Sequence, residues 1–167
     1  MKARAHLLLL RLFRHLPLFA RRGVVRRMAP QFTVGAICVI ERSDGRVLLI
    51  RQSYRSHWGL PGGLIKRGEE AVDAVRREAL EEVGIAIELV GEPTVVVAPE
   101  PRRVDVVFRA RPIAVAGAEG AHPSSPEIVE VGWFDPNELP RLQEETAGAV
   151  QAIARASFSP AAHPLAR

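Results

Sequence analysis

Residues 63–85 read GLIKRGEEAVDAVRREALEEVGI, and this stretch decides how the chain folds. From Glu69 to Val83 it contains neither Gly nor Pro, and Gly84 follows directly as a stop signal. The pattern predicts a helix over residues 69–83. One arc of this helix is apolar and is expected to dock on a sheet: Val72, Ala79, Leu80 and Val83.

Three carboxylates share another arc of the predicted helix. Glu78, Glu81 and Glu82 stand at positions i, i+3 and i+4, which places their side chains on one face. Two carboxylates about 6 Å apart repel each other by roughly 2–3 kcal/mol at an effective dielectric of about 20. The simplest interpretation of these three carboxylates is a solvent-exposed helix face. However, Ala71 and Ala74 interrupt the acidic pattern one or two turns earlier, and their small side chains would leave room for a ligand.

A divalent cation bound among these acids would turn their mutual repulsion into a net attraction to the cation. Glutamates without neighbouring Cys or His suit a hard cation with oxygen ligands, and their composition argues against zinc. Mg²⁺ keeps several waters and readily bridges to phosphate oxygens. The acids therefore indicate a metal-dependent site for a phosphate ester or anhydride.

The same stretch meets every fixed position of the Nudix box, G-x5-E-x7-R-E-U-x-E-E-x-G-U, in which U is apolar. The flanking Trp58-Gly59-Leu60-Pro61 and Trp133-Phe134-Asp135-Pro136 are also typical of that family, although Ala79 is small for an apolar position. The chain thus resembles the Nudix hydrolases. The resemblance implies an α/β fold, with an α/β/α sandwich around a mixed sheet. It also implies metal-dependent hydrolysis of the pyrophosphate linkage in a nucleoside diphosphate joined to another group.

The resemblance implies three kinds of role for residues in and near the box. Three residues would bind Mg²⁺ or Mn²⁺: Glu78, Glu81 and Glu82. Three would support the box, namely Glu69 and Arg77 by pairing and Gly84 by a tight bend. Gly62 and Gly63 would let the backbone approach the substrate, and Gly63 would also provide a bend.

Two alternatives remain for the general base. It is either a box glutamate, Glu78 or Glu81, or a later one, Glu127 or Glu130, at the start of a strand that ends near Trp133. Simple alternation on a half-exposed strand would equally explain the later pair.

Substrate contacts are indicated less specifically. Arg51 lies in a strand next to the Gly-rich bend, and Trp58 or Phe108 could stack a nucleobase, although a strand aromatic is commonly a core residue. Nucleoside diphosphate sugars or ADP-ribose and nucleoside triphosphates stay open as substrates. The alternative function is a non-catalytic nucleotide-binding or membrane-surface regulatory module on the same scaffold.

The rest of the chain reads as strands, helix and strands. Residues 32–41 and 47–54 predict a hairpin around the turn signal Ser43-Asp44-Gly45-Arg46. Asp135-Pro136 predicts a helix start, and residues 144–158 have helical composition. Further strands are predicted at residues 85–90, 94–97, 104–110 and 128–134.

The first 40 residues differ in charge from the remainder. They carry eight Lys and Arg and no acid, which leaves 15 basic against 19 acidic side chains for residues 41–167. The body is therefore acidic, and no specific nucleic-acid partner is predicted. Residues 1–30 predict a basic amphipathic helical extension split at Pro17, whose apolar face would pack on the body or in a homodimer. The alternative is peripheral contact of residues 1–28 with an anionic membrane.

Composition bounds the remaining organisation. With 167 residues, 47% apolar and 25% charged, one globular domain is expected, over residues 31–158, followed by a flexible tail at 159–167. Cys38 is the only cysteine, which excludes an internal disulfide and favours a reducing, cytoplasmic location.

Overall fold

The computed structural model describes residues 13–113 and 120–158. The chain divides into two units, of which the first ends at Phe32 and the second begins at Thr33. In the first unit residues 13–15 are helical and α1 spans Leu18–Met28, so Pro17 splits the arm as predicted. Residues 1–12 of the predicted arm and the predicted tail at 159–167 lie outside the described part.

In its described residues, 33–113 and 120–158, the second unit contains six strands and two helices. In chain order they are β1 (Thr33–Ile40), β2 (Val47–Gln52), β3 (Gly62–Leu64), α2 (Ala71–Val83), β4 (Ile87–Ala98), β5 (Arg103–Pro112), β6 (Ile128–Phe134) and α3 (Glu144–Phe158). One sheet has the order β3-β1-β5-β4, with β1 and β5 parallel and the other pairs antiparallel. A second sheet pairs β2 with β6. The expected mixed α/β architecture is therefore confirmed.

Strands β1 and β2 are buried on both faces, which explains their continuous apolar sequences. Alternate residues of β1 enter different core clusters: Ala36, Cys38 and Ile40 pack in one with α2, and Ile37 and Val39 pack in the other with α3. Burial also raises the pKa of the Cys38 thiol well above its usual range, consistent with a packing residue. The layers thus form a helix-sheet-helix sandwich.

The predicted hairpin between the first two strands is wrong. The turn exists, because Arg42 and Arg46 join through an N–H···O bond of 2.9 Å, but only the Glu41–Val47 bridge connects the strands beyond it. Since β1 pairs with β3 and β5 while β2 pairs with β6, the two strands separate into different sheets. A tight turn fixes the reversal of the chain, but not the partner of each strand.

Two other local predictions also need correction. Residues 87–98 form one strand with a break in register between Val90 and Thr94, where Gly91 adopts a φ of 70°, and not two separate strands. Asp135 begins a turn, not a helix, because its carboxylate accepts the Asn137 N–H at 2.8 Å. The next helix, α3, begins only at Glu144.

Candidate active site

Helix α2 is rotated differently from the sequence prediction. Val72 and Leu80, expected to dock on the sheet, are exposed, and Ala74, expected beside a ligand, is in the core. The buried residues of the helix surround Glu82 at helical spacing: Ala74, Val75, Ala79 and Val83. The centre of the buried face is therefore a carboxylate, which a pattern of apolar residues does not reveal.

Glu82 is 7% exposed and is held by backbone of the Gly-rich segment. Its Oε2 accepts the Gly62 N–H at 2.8 Å. Burial raises the pKa of this carboxyl to about 8, and the negative charges of Glu78 and Glu127 act in the same direction. The hydrogen bonds from Gly62 and Gln52 oppose this rise without cancelling it. Such a carboxylate is suited to a cation.

Arg77 links the loop before α2 to the acids on the helix. Its Nε donates to Glu69 at 2.7 Å, and its Nη1 donates to Glu78 at 2.7 Å and to Glu81 at 3.0 Å. Arg77, and next the Lys66 N–H at 2.8 Å, lower the pKa of Glu69 to about 2. Glu69 itself precedes the helix, which begins at Ala71. The pairing predicted for Glu69 and Arg77 is present in this geometry.

Two positions of the box require glycine for different structural reasons. Gly84 ends α2 in the left-handed conformation, with a φ of 71°, as a helix stop requires. Gly63, expected at a bend, lies in β3 instead, and a Cβ there would stand 2.4 Å from Glu78 Oε1. Its missing side chain lets the acidic helix approach the strand. We call α2 with Glu69 and these glycines the helix wall of the site.

The opposite side of the site comes from strands that are distant in sequence. β2 and β6 change register between Arg51 and Gln52, so that Arg51 opposes Glu130 while Gln52 opposes Ile128. Val129 is the extra residue of this bulge, a device that re-aims neighbouring side chains. Glu127, just before β6, faces Glu82, and its backbone C=O accepts the Ser53 N–H at 2.8 Å. Burial and then Glu127, which accepts the Tyr54 hydroxyl, raise the pKa of Tyr54.

A second polar group of this side stands on β5. Arg103 Nε donates to both oxygens of Asp105 at 2.8 Å, and Asp105 is 5% exposed. Gly35 lies beside them, because a Cβ there would be 2.4 Å from Asp105 Oδ1 and 3.0 Å from Arg103 Nη2. Within the described residues the hydrogen bonds of this guanidinium all use Nε, so Nη1 and Nη2 remain available to a ligand. We call Gln52, Tyr54, Glu127 and the Arg103–Asp105 pair the strand wall.

Both walls border one cleft of about 530 Å³. Its lining combines acids and bases: Glu78, Glu81 and Glu82 from the helix wall, Glu127 and Arg103 from the strand wall, and Lys66 from the loop before α2. Gly62 and Gly63 also line it, as expected for the substrate approach. The cleft therefore brings the acids predicted from the sequence together with basic side chains that suit a phosphate group.

Two predicted substrate contacts are not brought to this cleft. Arg51 pairs with Glu130, with Nε donating to Oε2 at 2.8 Å, and neither lines the cleft. Trp58 packs edge-on against Phe134 at 4.7 Å between ring centroids, and Phe108 is in the core. Gln52, Gln143 and Arg103 also line the cleft, and none of them is among the substrate contacts predicted above. The signal for the last was Asp105, a single acid within the apolar strand Val104–Phe108.

The acids fit a divalent cation by chemistry, although they do not form a ready-made cage. In the described part of the chain no three acidic, His or Cys side chains are close enough to hold a metal as they stand. Arg77 explains this, because it already contacts Glu78 and Glu81. Four carboxylates on one cleft, one of them buried with a raised pKa, supply the oxygen donors that Mg²⁺ or Mn²⁺ takes.

Comparison with known proteins agrees with this site. The NUDIX domain model matches residues 31–155, most of the chain. The chain therefore belongs to the Nudix hydrolase family, whose members generally use divalent metal ions.

Individual relatives extend the comparison. A MutT-like protein of Streptomyces ambofaciens is 36% identical over 117 residues, which cover 70% of this chain and 72% of that protein. An 8-oxo-dGDP phosphatase of Mus musculus is 30% identical over 110 residues, 62% of this chain and 32% of that protein. The crystal structure of an ADP-ribose pyrophosphatase from Streptococcus suis superimposes with a TM-score of 0.61 at 25% identity, covering 77% of this chain and 94% of that one.

Proposed function

We propose that this chain hydrolyses the pyrophosphate bond of a nucleoside diphosphate joined to another group, with Mg²⁺ or Mn²⁺ held by Glu78, Glu81 and Glu82. The observation that carries the proposal is the convergence of these three acids and Glu127 on one cleft, with Glu82 buried at the centre of the helix face. Burying a carboxylate is costly unless a cation compensates it. A structural role alone would be served better by an apolar residue at this position.

The bound ion would neutralise phosphate charge and acidify a water molecule. The residues of the chain would orient the remaining reactants. The Gly62 N–H holds Oε2 of Glu82 and would orient this carboxylate toward the ion. Arg77 would keep Glu78 and Glu81 in position. When the ion binds, its positive charge would replace part of the salt-bridge contact between Arg77 and these two carboxylates.

For the general base we propose Glu127. Glu78 and Glu81 each have an oxygen engaged by Arg77, whereas Glu127 comes from the opposite wall and is hydrogen-bonded to the Tyr54 hydroxyl. A base on the wall opposite the ion can accept a proton from a water lying between the walls. Glu78 and Glu81 are the competing assignment.

The basic groups of the cleft support an anionic nucleotide as the substrate. Lys66 and Arg103 flank the acids, and Arg103 is preorganised by the buried Asp105. Its Nη1 and Nη2 form a fork that matches either two phosphate oxygens or the acceptor edge of a purine. Relatives named for 8-oxo-dGDP and for ADP-ribose define the two substrate types to compare.

A product-resolved substrate screen tests the proposal. The full chain is incubated with nucleoside triphosphates, 8-oxo-dGDP, ADP-ribose and nucleoside diphosphate sugars, with Mg²⁺ or Mn²⁺, in ¹⁸O-labelled water. We expect a metal-dependent release of a nucleoside monophosphate with one labelled oxygen on a phosphate. The Glu82→Gln variant is the negative control, and Glu130→Gln, outside the cleft, is the matched positive control. Turnover equal in Glu82→Gln, or independent of metal, would refute the assignment.

A further inference from the structure

The charged side chains of helix α1 are all basic, whereas those of the cleft are both acidic and basic. Leu18–Met28 contains Arg21, Arg22, Arg26 and Arg27 and no acidic residue. Arg26 and Arg27 stand in the last turn, where a cation also favours the helix dipole. That local benefit explains two arginines, but it does not explain the large apolar side chains on the same short helix.

Those apolar side chains are exposed. Leu18 is 70%, Phe19 79% and Met28 80% exposed, and Val24 and Val25 are exposed as well. None of the residues from Leu18 to Met28 is buried. A solvated helix gains nothing from such residues, whereas a surface that takes up both arginines and apolar groups uses all of them.

The two kinds of residue separate around the helix. At helical spacing Leu18, Val24, Val25 and Met28 fall within an arc of about 120°, and Arg22, Arg26 and Arg27 fall on the other side. Phe19 is the one apolar residue among the arginines. The arrangement is that of a helix lying in a plane between water and an apolar medium.

Arg21 is an exception to this separation of apolar and basic residues, and its hydrogen bonds explain why. By spacing it belongs to the apolar arc, but its side chain turns back toward the start of the helix. Its Nε donates to the Leu16 C=O at 2.8 Å, and its Nη2 donates to the Arg14 C=O. Arg21 therefore ties the turn before α1 and does not place its charge in the centre of the apolar arc.

We propose that α1 binds the surface of an anionic phospholipid membrane, with its apolar arc inserted and Arg22, Arg26 and Arg27 among the lipid headgroups. Charge complementarity selects this partner, since the first 40 residues carry eight bases and no acid while residues 41–167 carry an excess of acids. An anionic surface would attract the arm and repel the rest. Within the described residues no helix is long and apolar enough to cross a bilayer.

A vesicle sedimentation assay with the full chain tests this inference. Vesicles of phosphatidylcholine are compared with vesicles of equal parts phosphatidylcholine and phosphatidylserine. The triple variant Arg22→Gln, Arg26→Gln, Arg27→Gln is compared with a matched variant that removes three exposed arginines elsewhere, Arg76→Gln, Arg111→Gln, Arg141→Gln. Circular dichroism and turnover in solution establish that each variant is folded.

We expect the chain to sediment with anionic vesicles and not with neutral ones, and to be released by high salt. Each arginine near the surface contributes about fivefold in partitioning, so the triple variant should bind about 100-fold more weakly. The matched variant should bind like the original chain. A second substitution, Leu18→Ser with Met28→Ser, should weaken vesicle binding without changing the charge.

Three results would overturn the proposal. Equal binding of both triple variants would show that net charge, not α1, attracts the vesicle. Equal binding to neutral and anionic vesicles would remove the electrostatic argument. The third result is the absence of vesicle binding. If analytical ultracentrifugation then shows a dimer that the α1 variant abolishes, the helix binds a second copy of the chain. If the chain binds duplex DNA or RNA instead, the helix is assigned to nucleic acid.

Discussion

The helix wall and the strand wall of the cleft both present carboxylates, but they are assembled in opposite ways. Glu78, Glu81 and Glu82 lie within one and a half turns of α2, and Arg77 on the same helix holds two of them. Glu127 and Arg103 come from separate strands, and each depends on a partner that the fold supplies, Tyr54 and Asp105. Local spacing is thus sufficient to assemble the acids proposed to bind the metal, whereas the groups that face them require the complete sheet arrangement.

The largest effect is expected on the helix wall. Glu82→Gln should lower kcat/KM on the best substrate by about 100-fold or more, because the buried acid proposed as a metal ligand loses its charge. The amide can still accept the Gly62 N–H and carries no charge to desolvate, so without added metal the thermal midpoint should not fall.

Differential scanning calorimetry with and without Mn²⁺ checks this stability claim. The original chain should be stabilised by the metal, and Glu82→Gln should lose that stabilisation. A near-normal rate, or an undiminished metal response, would mean that Glu82 is buried for a structural reason only.

The strand wall is tested next by two glutamates three residues apart. Glu127→Gln should lower kcat by about 10- to 100-fold, since it removes the proposed proton acceptor. Glu130→Gln removes the same charge three residues further along the chain, but its partner Arg51 is outside the cleft, so kcat should change less than about twofold. Steady-state rates for Glu127→Gln, Glu78→Gln and Glu81→Gln at several pH values decide between the two assignments of the base. If only a box variant loses the acidic limb of its pH profile, on which protonation of the base stops turnover, Glu127 is not the base.

A smaller effect is expected at the Arg103–Asp105 pair. Arg103→Gln should raise KM about tenfold with kcat nearly unchanged, because the fork is proposed to bind substrate and, within the described residues, Arg103 pairs with Asp105 and not with the acids proposed to bind the metal. Arg103→Lys should recover part of this loss, and Asp105→Asn should reproduce part of it by releasing the guanidinium. Exposed Arg111→Gln is the control on the same strand. An equal fall in kcat and kcat/KM would place Arg103 at the reacting phosphate and remove the distinction between binding and chemistry.

The smallest effect concerns the support of the helix wall. The Glu69 carboxyl should titrate at a pKa of about 2, below its usual 4.5, because Arg77 and the Lys66 N–H stabilise the charged form. A lowered pKa in the folded state means that the contribution to stability is present above pH 4.5 and is lost as the pH falls toward 2. Carbon NMR of the Glu69 carboxyl measures this directly. Arg77→Gln should move the titration up toward 4.5, whereas Arg76→Gln should leave it in place.

Sequence reasoning succeeded for several elements whose bounds are decided by neighbours in the chain, although the local signal at Asp135 was misread as a helix start. The end of α2 at Gly84, the strand at Ile128–Phe134 and the helix at Glu144–Phe158 follow from local signals. It failed at the hairpin of residues 32–54 because strand pairing is chosen by distant partners. Trp58 and Arg51 lie outside the cleft for a related reason, since suitable chemistry beside the Gly-rich bend does not say which face of a strand meets the cleft.

By itself, then, the sequence determined the family, the mixed α/β architecture and the three acids on one helix arc, because helical spacing converts positions 78, 81 and 82 directly into neighbours. Only the tertiary structure decided which acid is buried, since the rotation of α2 depends on how Ala74, Val75 and Ala79 fit the sheet. It also decided that Glu127 and Arg103 face those acids. Their separation along the chain is bridged by strand pairing and a bulge, and neither leaves a period in the sequence.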